Sequence, residues 1–241
     1  MATYREQGIV LRTIKLGETD RILTLLTPGR GKVRAVAKGV RRPGSRFGGR
    51  LEPYGLVDLQ LYEGRRGLDT VNQAELIAPH AAVRADWERS ACAATIAEAA
   101  DTLAQPGERA VSLFLLVRDG LRALEAGPDR PAAVLDAVLL RLASVAGYHA
   151  ALDVCATCGQ PGPHEVFHLD RGGLLCPVCA PVGSQPLAAG VLDGLQALRT
   201  HDLGGAPVPE EAVGRLVATL VASYLAHHLG RPLTAWESVP R

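Results

Sequence analysis

A chain of 241 residues with 47% apolar content has material for one large core or two smaller ones, which excludes global disorder. Basic and acidic residues nearly cancel, 26 against 25, but their distribution is uneven. Residues 1–80 hold 14 Lys+Arg and 8 Asp+Glu and residues 81–241 hold 12 and 17, so a basic module that meets a polyanion is expected ahead of a more neutral body.

The first 80 residues read as strands. "GIVLRTI" (8–14) is apolar and β-branched, and "RILTLLT" (21–27) sets Ile22, Thr24 and Leu26 against Leu23 and Leu25. "TPGRGK" then turns the chain into "KVRAVAKGV", which predicts a hairpin. "YGLVDLQLYEG" (54–64) alternates, with Val57, Leu59 and Leu61 on one face, and "LDTVNQAELI" (68–77) follows a "GRRG" turn. Five strands with tight Gly-rich turns predict a small closed barrel, because closure removes exposed edges.

The period changes after Pro79. A Gly- and Pro-free, Ala-rich run predicts one helix over 81–104, and 108–127 predicts a second, ended by Gly127-Pro128. A third opens at Asp129 and Pro131, a fourth covers 185–201, and a fifth starts at Pro209-Glu210-Glu211 and ends at Gly230. The expected class is α+β with two domains, a barrel at 1–79 and a mainly helical domain at 80–241. Neither a signal peptide nor a membrane helix is legible: Arg5 and Glu6 interrupt the N-terminus, and prolines break the uncharged run 172–192. A soluble cytoplasmic protein is expected.

Cys155, Cys158, Cys176 and Cys179 form C-x2-C-x17-C-x2-C, the spacing of a four-cysteine zinc site. Two such pairs complete a tetrahedron and leave no open position, so one structural Zn²⁺ is expected, folding an insertion at about 153–182 that is too poor in apolar residues for its own core. Redox dithiols would need a thioredoxin-like context, and a zinc deaminase needs H-x-E, which the chain lacks. His164 and His168 are expected at the surface, Cys92 as a small buried residue, and His227-His228 as an isolated pair favouring a helix dipole. The phosphate-loop pattern fails at Leu26 and Val33, no other catalytic motif is present, and no small-molecule substrate is expected.

"GKVRAVAKGVRRPGSRFGGR" (31–50) carries Lys32, Arg34, Lys38, Arg41, Arg42, Arg46 and Arg50 and no acid. Arg34 and Lys38 share a face of the predicted strand, and the later arginines continue into a Gly/Pro/Ser-rich loop. Such a segment predicts a phosphate-binding surface, with affinity from counterion release. Phe47 among the arginines is the candidate base-stacking residue, ahead of Tyr4, Tyr54 and Tyr62.

"GIVLRTIKLGETDRILTLLT", "GKVRAVAKGVRRPGSRFGGRLEPY", "AELIAPH", the paired cysteines and "SYLAHHLGRPL" together resemble the RecO recombination mediators over nearly the whole chain. After "HHLGRPL" relatives commonly continue with a Ser-Arg-type motif, whereas Thr234-Ala235-Trp236-Glu237 stands here. The resemblance implies an OB-type barrel, a helical domain with a four-cysteine zinc site, and no catalysis. It also implies binding of single- and double-stranded DNA at the nucleoid, annealing of complementary strands, and help in loading RecA on strands coated by single-strand-binding protein. RecR is the implied partner, with single-strand-binding protein a further one. The competing readings are a zinc enzyme acting on nucleic acid and a zinc-bearing structural adaptor whose basic patch holds an acidic protein.

Overall fold

The computed structural model describes residues 2–203, 205 and 210–241. They form two compact units, Met1–Gly127 and Pro128–Arg241. In the first, β1 (Thr3–Leu16), β2 (Asp20–Thr27), β3 (Gly31–Ala37), β4 (Leu56–Tyr62) and β5 (Asp69–Ala78) close a barrel in the order β1-β2-β3-β5-β4, an OB-type arrangement. All pairings are antiparallel except β3 with β5, which meet in parallel at Ala35–Asp69 and Val36–Thr70. β1 is long because it serves two neighbours. Its first half pairs with β4 and its second with β2, and an irregularity between Val10 and Arg12 bends it between them. The alternation legible in the sequence sets the inner face: Val10, Leu23, Leu25, Val33, Ala35, Val57, Leu59, Leu61 and Val71 fill the barrel.

The helix expected over 81–104 is two helices, α1 (Ala81–Ala85) and α2 (Trp87–Leu103). Asp86 interrupts them with an extended backbone, and its side chain accepts the Arg89 N–H at 2.9 Å. A short carboxylate that satisfies an orphan donor starts a new helix more readily than it continues an old one. α3 (Val111–Glu125) follows, and its Glu125 carboxylate accepts the Ala82 and Val83 N–H groups of α1. α2 packs on β1 and β2 and α3 on β2, so Ile9, Leu11, Thr24 and Leu26 are buried although they point away from the barrel interior. Asp101 of α2 pairs with Lys32 at 3.0 Å and Arg12 at 3.5 Å. Gly31 lets the 105–108 segment approach: at φ +61°, a Cβ there would lie 2.3 Å from the Gln105 carbonyl oxygen. The switch from strand to helix thus falls between Ala78 and Ala81, whereas the compact unit holding the barrel runs on to Gly127.

The second unit is built on α4 (Pro131–Val145), α5 (Val191–Thr200) and α6 (Glu211–Leu229), which pack pairwise. The fourth helix expected over 185–201 begins only at Val191, after Gly190 in the left-handed region, and Pro209 lies outside the described residues. Gly230 ends α6 at φ +69°, with the Arg231 N–H donating back to the Ala226 carbonyl at 3.2 Å. His227 and His228 are not isolated. His227 pairs with Asp170 at 3.1 Å, and His228 stacks on Tyr148 with ring centroids 4.3 Å apart and meets Tyr224 edge-on. At the C-terminus Arg241 reaches the buried Asp136 of α4 at 2.6 Å.

Candidate nucleic-acid interface and metal centre

The basic segment leaves β3 and winds through a chain of tight turns before β4. Arg42 donates its N–H to the Gly39 carbonyl, Ser45 to Arg42, Gly48 to Ser45 and Arg50 to Phe47, all at 3.0–3.1 Å. Two contacts fix it to the β1–β2 turn: Arg41 N–H to the Thr19 carbonyl at 2.9 Å and Gly39 N–H to the Asp20 carboxylate at 2.8 Å. Those partners, the Gly39 N–H first and the Thr19 hydroxyl second, hold the Asp20 carboxyl below the usual carboxylate range, and the nearby Arg42 and Lys38 add to the effect.

Phe47 is not the stacking platform expected from its place among arginines. Only 1% of it is exposed, because its ring belongs to the barrel core together with Val40 and Leu51 of the same loop. These three apolar side chains plug the barrel and hold the loop's backbone down, so that its charged side chains project outward. Val40 and Leu51 carry one signal in the sequence: with Phe47 they are the apolar residues in a stretch otherwise Gly, Pro, Ser and Arg.

The other candidates divide into two groups. Lys32 is half-buried in its ion pair with Asp101. Arg34, Lys38, Arg41, Arg42, Arg46 and Arg50 are exposed, and among the described residues none has a carboxylate within ion-pair distance. Arg41 donates to the Glu18 carbonyl at 3.0 Å and Arg50 to the Arg46 carbonyl at 2.7 Å, which fixes their stems. The contrast lies with Arg5, Arg12, Arg21 and Arg30 of the same barrel, paired with Asp58, Asp101, Glu52 and Glu63. Of the candidate tyrosines, Tyr4 is engaged: its hydroxyl donates to Asp69 and its ring lies under the Arg30 guanidinium at 3.9 Å.

In the second unit the two C-x-x-C pairs meet. The four Sγ atoms of Cys155, Cys158, Cys176 and Cys179 all lie within 4.8 Å of one another, with Cys158 and Cys176 3.8 Å apart. Each pair sits on a tight turn, Gly159 N–H to the Cys155 carbonyl at 2.8 Å and Ala180 N–H to the Cys176 carbonyl at 2.9 Å. Between them runs a hairpin of β6 (Val166–His168) and β7 (Gly173–Leu175). The first turn is laced to it by the Ala156 N–H on the Leu174 carbonyl and the Leu174 N–H on the Ala151 carbonyl. Gly173 has to be glycine, since a Cβ would stand 2.4 Å from the Ala151 carbonyl oxygen.

The insertion's own apolar cluster is small, Leu175 with the small residues around the sulfurs, and the rest of its unit holds it through Asp153 with Arg199 at 2.7 Å, Asp170 with His227 at 3.1 Å and Phe167 edge-on to Tyr224. His164, expected at the surface, is buried and bonded to the Gln160 carbonyl at 2.9 Å. Backbone N–H groups, that of Cys176 foremost, pull the Cys155 thiol down to about 6, while hydrogen bonding to the neighbouring sulfurs, Cys176 first, pushes Cys179 up. Four thiols this close cannot all ionise without a cation among them, and together they could hold a metal ion.

Comparison with known proteins covers both units. Residues 1–80 match the family described as recombination protein O N terminal, and residues 84–237 match recombination protein O C terminal. The chain is 47% identical over 243 residues to the DNA repair protein RecO of Frankia casuarinae, with 100% of both chains covered. It is 48% identical over 246 residues to that of Nocardioides sp., with 99% of each covered. Against the protein of Thermobifida fusca the identity is 42% over 243 residues, again with 100% of each covered. The barrel, the cysteine cluster and these matches along the whole length agree, and the chain belongs to the recombination protein O (RecO) family.

Proposed function

We propose that this protein is a DNA repair and recombination mediator that binds DNA through the cationic rim of its barrel and anneals complementary strands. The observation that carries the reading is the contrast in ion pairing on one barrel. Among the described residues Arg34, Lys38, Arg42 and Arg46 have no carboxylate within ion-pair distance, while Arg5, Arg12, Arg21 and Arg30 each have one. Unpaired cations held on a fixed loop suit a chain of phosphates: they displace condensed counterions and leave base edges free to pair. Annealing needs no nucleotide and no catalytic side chain, only screening of two polyanions brought together, and the names of the relatives support a role in repair. Arg41 and Arg50 contribute at the edges of the patch, and Lys32 acts chiefly through its bond to α2.

On this reading the barrel and the helical part, divided near residue 80, act in the cytoplasm at the nucleoid. They work with RecR and help RecA onto strands coated by single-strand-binding protein. The metal is one structural Zn²⁺ held by Cys155, Cys158, Cys176 and Cys179. Zn–S bonds of about 2.3 Å at tetrahedral angles put sulfurs about 3.8 Å apart, which matches the Cys158–Cys176 separation.

The test is binding of a single-stranded oligonucleotide over a range of salt concentrations. Each phosphate contact contributes about −0.7 to the slope of log affinity against log salt, so Arg42→Ala with Arg46→Ala flattens it by roughly one to one and a half. Affinity falls on all sequences alike and ATP-free annealing falls with it. Unchanged affinity and slope would leave the patch to an acidic protein instead.

A further inference from the structure

The four clustered cysteines differ in how far solvent reaches them. Cys155 and Cys176 are buried, with 1% of each exposed, and Cys179 is half-buried. Cys158 is exposed, as are Thr157 and Gly159 beside it and Pro177 and Val178 on the other turn. A small molecule arriving from solvent therefore meets the Cys158 sulfur first. The Cys176 Sγ, carried by the opposite turn, stands 3.8 Å away. Closing that gap to the bonded distance of about 2 Å takes only a short movement of the two side chains. The two turns are otherwise joined by the backbone bonds of Ala156 and Ala151 to Leu174 and by the β6–β7 hairpin.

We propose that the cluster is a site of reversible oxidation by peroxide, with Cys158 the sulfur attacked first and Cys176 the one that resolves it into a cross-turn disulfide. The inference rests on the metal assignment given above. The Cys158 thiolate attacks a peroxide oxygen, breaks the O–O bond, expels hydroxide and becomes a sulfenic acid. The Cys176 thiolate then attacks that sulfur, forms the S–S bond and expels a second hydroxide. Two thiolates give up two electrons, and one hydrogen peroxide takes them and, with two protons, leaves as two waters. Cys155 and Cys179 are then the remaining thiolates of the cluster, two ligands where a tetrahedral ion needs four, so the ion leaves. The new bond joins one turn to the other. It replaces the ion as the tie between them, so the insertion keeps its fold while the centre empties. A disulfide within either C-x-x-C pair closes one turn on itself and leaves the two turns apart. Cys92 is buried in α2 of the other unit and takes no part.

The experiment treats the zinc-loaded full chain with a stoichiometric amount of hydrogen peroxide. It reads zinc released to a metallochromic dye, thiols counted after denaturation, and the position of the disulfide by peptide mapping. The chain loses about one zinc. Two of its five thiols disappear, and the bond joins Cys158 to Cys176. Dithiothreitol with added zinc reverses all three changes. Protease cuts within residues 153–182 when a chelator has removed the zinc, whereas the peroxide-treated chain resists there. Cys158→His keeps four ligands for the ion but lacks the exposed sulfur, so it holds its zinc under the same treatment. A disulfide within either C-x-x-C pair, zinc lost without any disulfide, or zinc kept by the native chain overturns the inference and leaves the metal assignment standing. Loss of zinc from Cys158→His as fast as from the native chain overturns it too. Should that variant not take up zinc, the bond mapped in the native chain decides. A chain that carries no zinc before treatment removes the metal assignment itself, and this inference with it.

Discussion

Two long irregular segments in this protein solve the same problem by different means. The cationic loop between β3 and β4 and the cysteine insertion between α4 and α5 are both rich in Gly and Pro and short of regular structure. Chain of that kind loses a great deal of conformational freedom on ordering, so something specific has to hold it. The first has the apolar core of the closed barrel beside it and anchors itself there with Val40, Phe47 and Leu51. The second gathers only a small apolar cluster and leaves Val178 exposed, and its turns converge on four sulfurs instead. An apolar anchor is permanent and frees every charged side chain of the loop for a ligand. A metal ion at the four sulfurs would take up all four side chains and would hold the turns only while bound. The first solution suits a binding surface, the second a scaffold.

The sharpest way to break this comparison is to remove a sulfur. Structural zinc contributes an apparent free energy on the order of 10 kcal/mol. Cys176→Ser should therefore abolish metal retention, taking elemental analysis from about one zinc per chain to nearly none. It should open residues 153–182 to proteolysis while the barrel stays resistant. Full metal content in this variant, or disulfides in the native protein, would remove the metal anchor from the account, and iron in place of zinc would correct the ion.

Next in size is the apolar anchor. Phe47→Ala empties a packed site and should cost about 3–5 kcal/mol of stability, with Phe47→Leu clearly milder. Hydrogen exchange should rise at the amides of residues 40–51, and DNA affinity should fall with a smaller salt slope, because a loosened loop no longer presents its arginines together. A Phe47→Ala protein of native stability that lost affinity at unchanged slope would restore the ring to a stacking role.

A third anchor, ionic, ties down the chain end and gives the smallest effect. Removing one partner of a buried pair costs about 3 kcal/mol, and Arg241→Ala strands Asp136, whose other carboxylate oxygen is already buried without a hydrogen bond among the described residues. Burial pushes the Asp136 carboxyl up and Arg241 pulls it partly back, leaving it raised. A carboxyl raised in the folded state binds its proton more tightly there than when unfolded. It therefore favours the native state at pH below about 4 and progressively less as pH rises through the folded value. Without Arg241 that value climbs further. The deficit of Arg241→Ala should accordingly be largest near neutral pH and shrink on acidification, and adding Asp136→Asn should recover most of it. Equal deficits at pH 5 and pH 8 in thermal melts would exclude the stranded charge.

How much of this was readable in advance depended on the range of the interaction. Strand alternation and helix periodicity are local, and so the five strands, the inward set Val57, Leu59 and Leu61, and the Gly230 stop were legible. The cysteine cluster was legible too, because ligand spacing is itself a short-range constraint; so was the absence of acids from 31–50. Three things were not. Asp86 divides a helix by a side-chain bond that composition does not reveal. Phe47 reads as a stacking ring in a row of arginines, and only the closed barrel above which it sits makes it core. The pairing of Lys32 and Arg12 with one aspartate of α2 joins residues 69 and 89 positions apart, a distance over which charge patterning carries no signal. The sequence by itself determined which segments are strand, helix, cation-rich or paired in cysteines, since those follow from neighbours within a few residues. Tertiary structure alone decided which cations are neutralised and which remain free, because that depends on which carboxylates folding brings within a few ångströms.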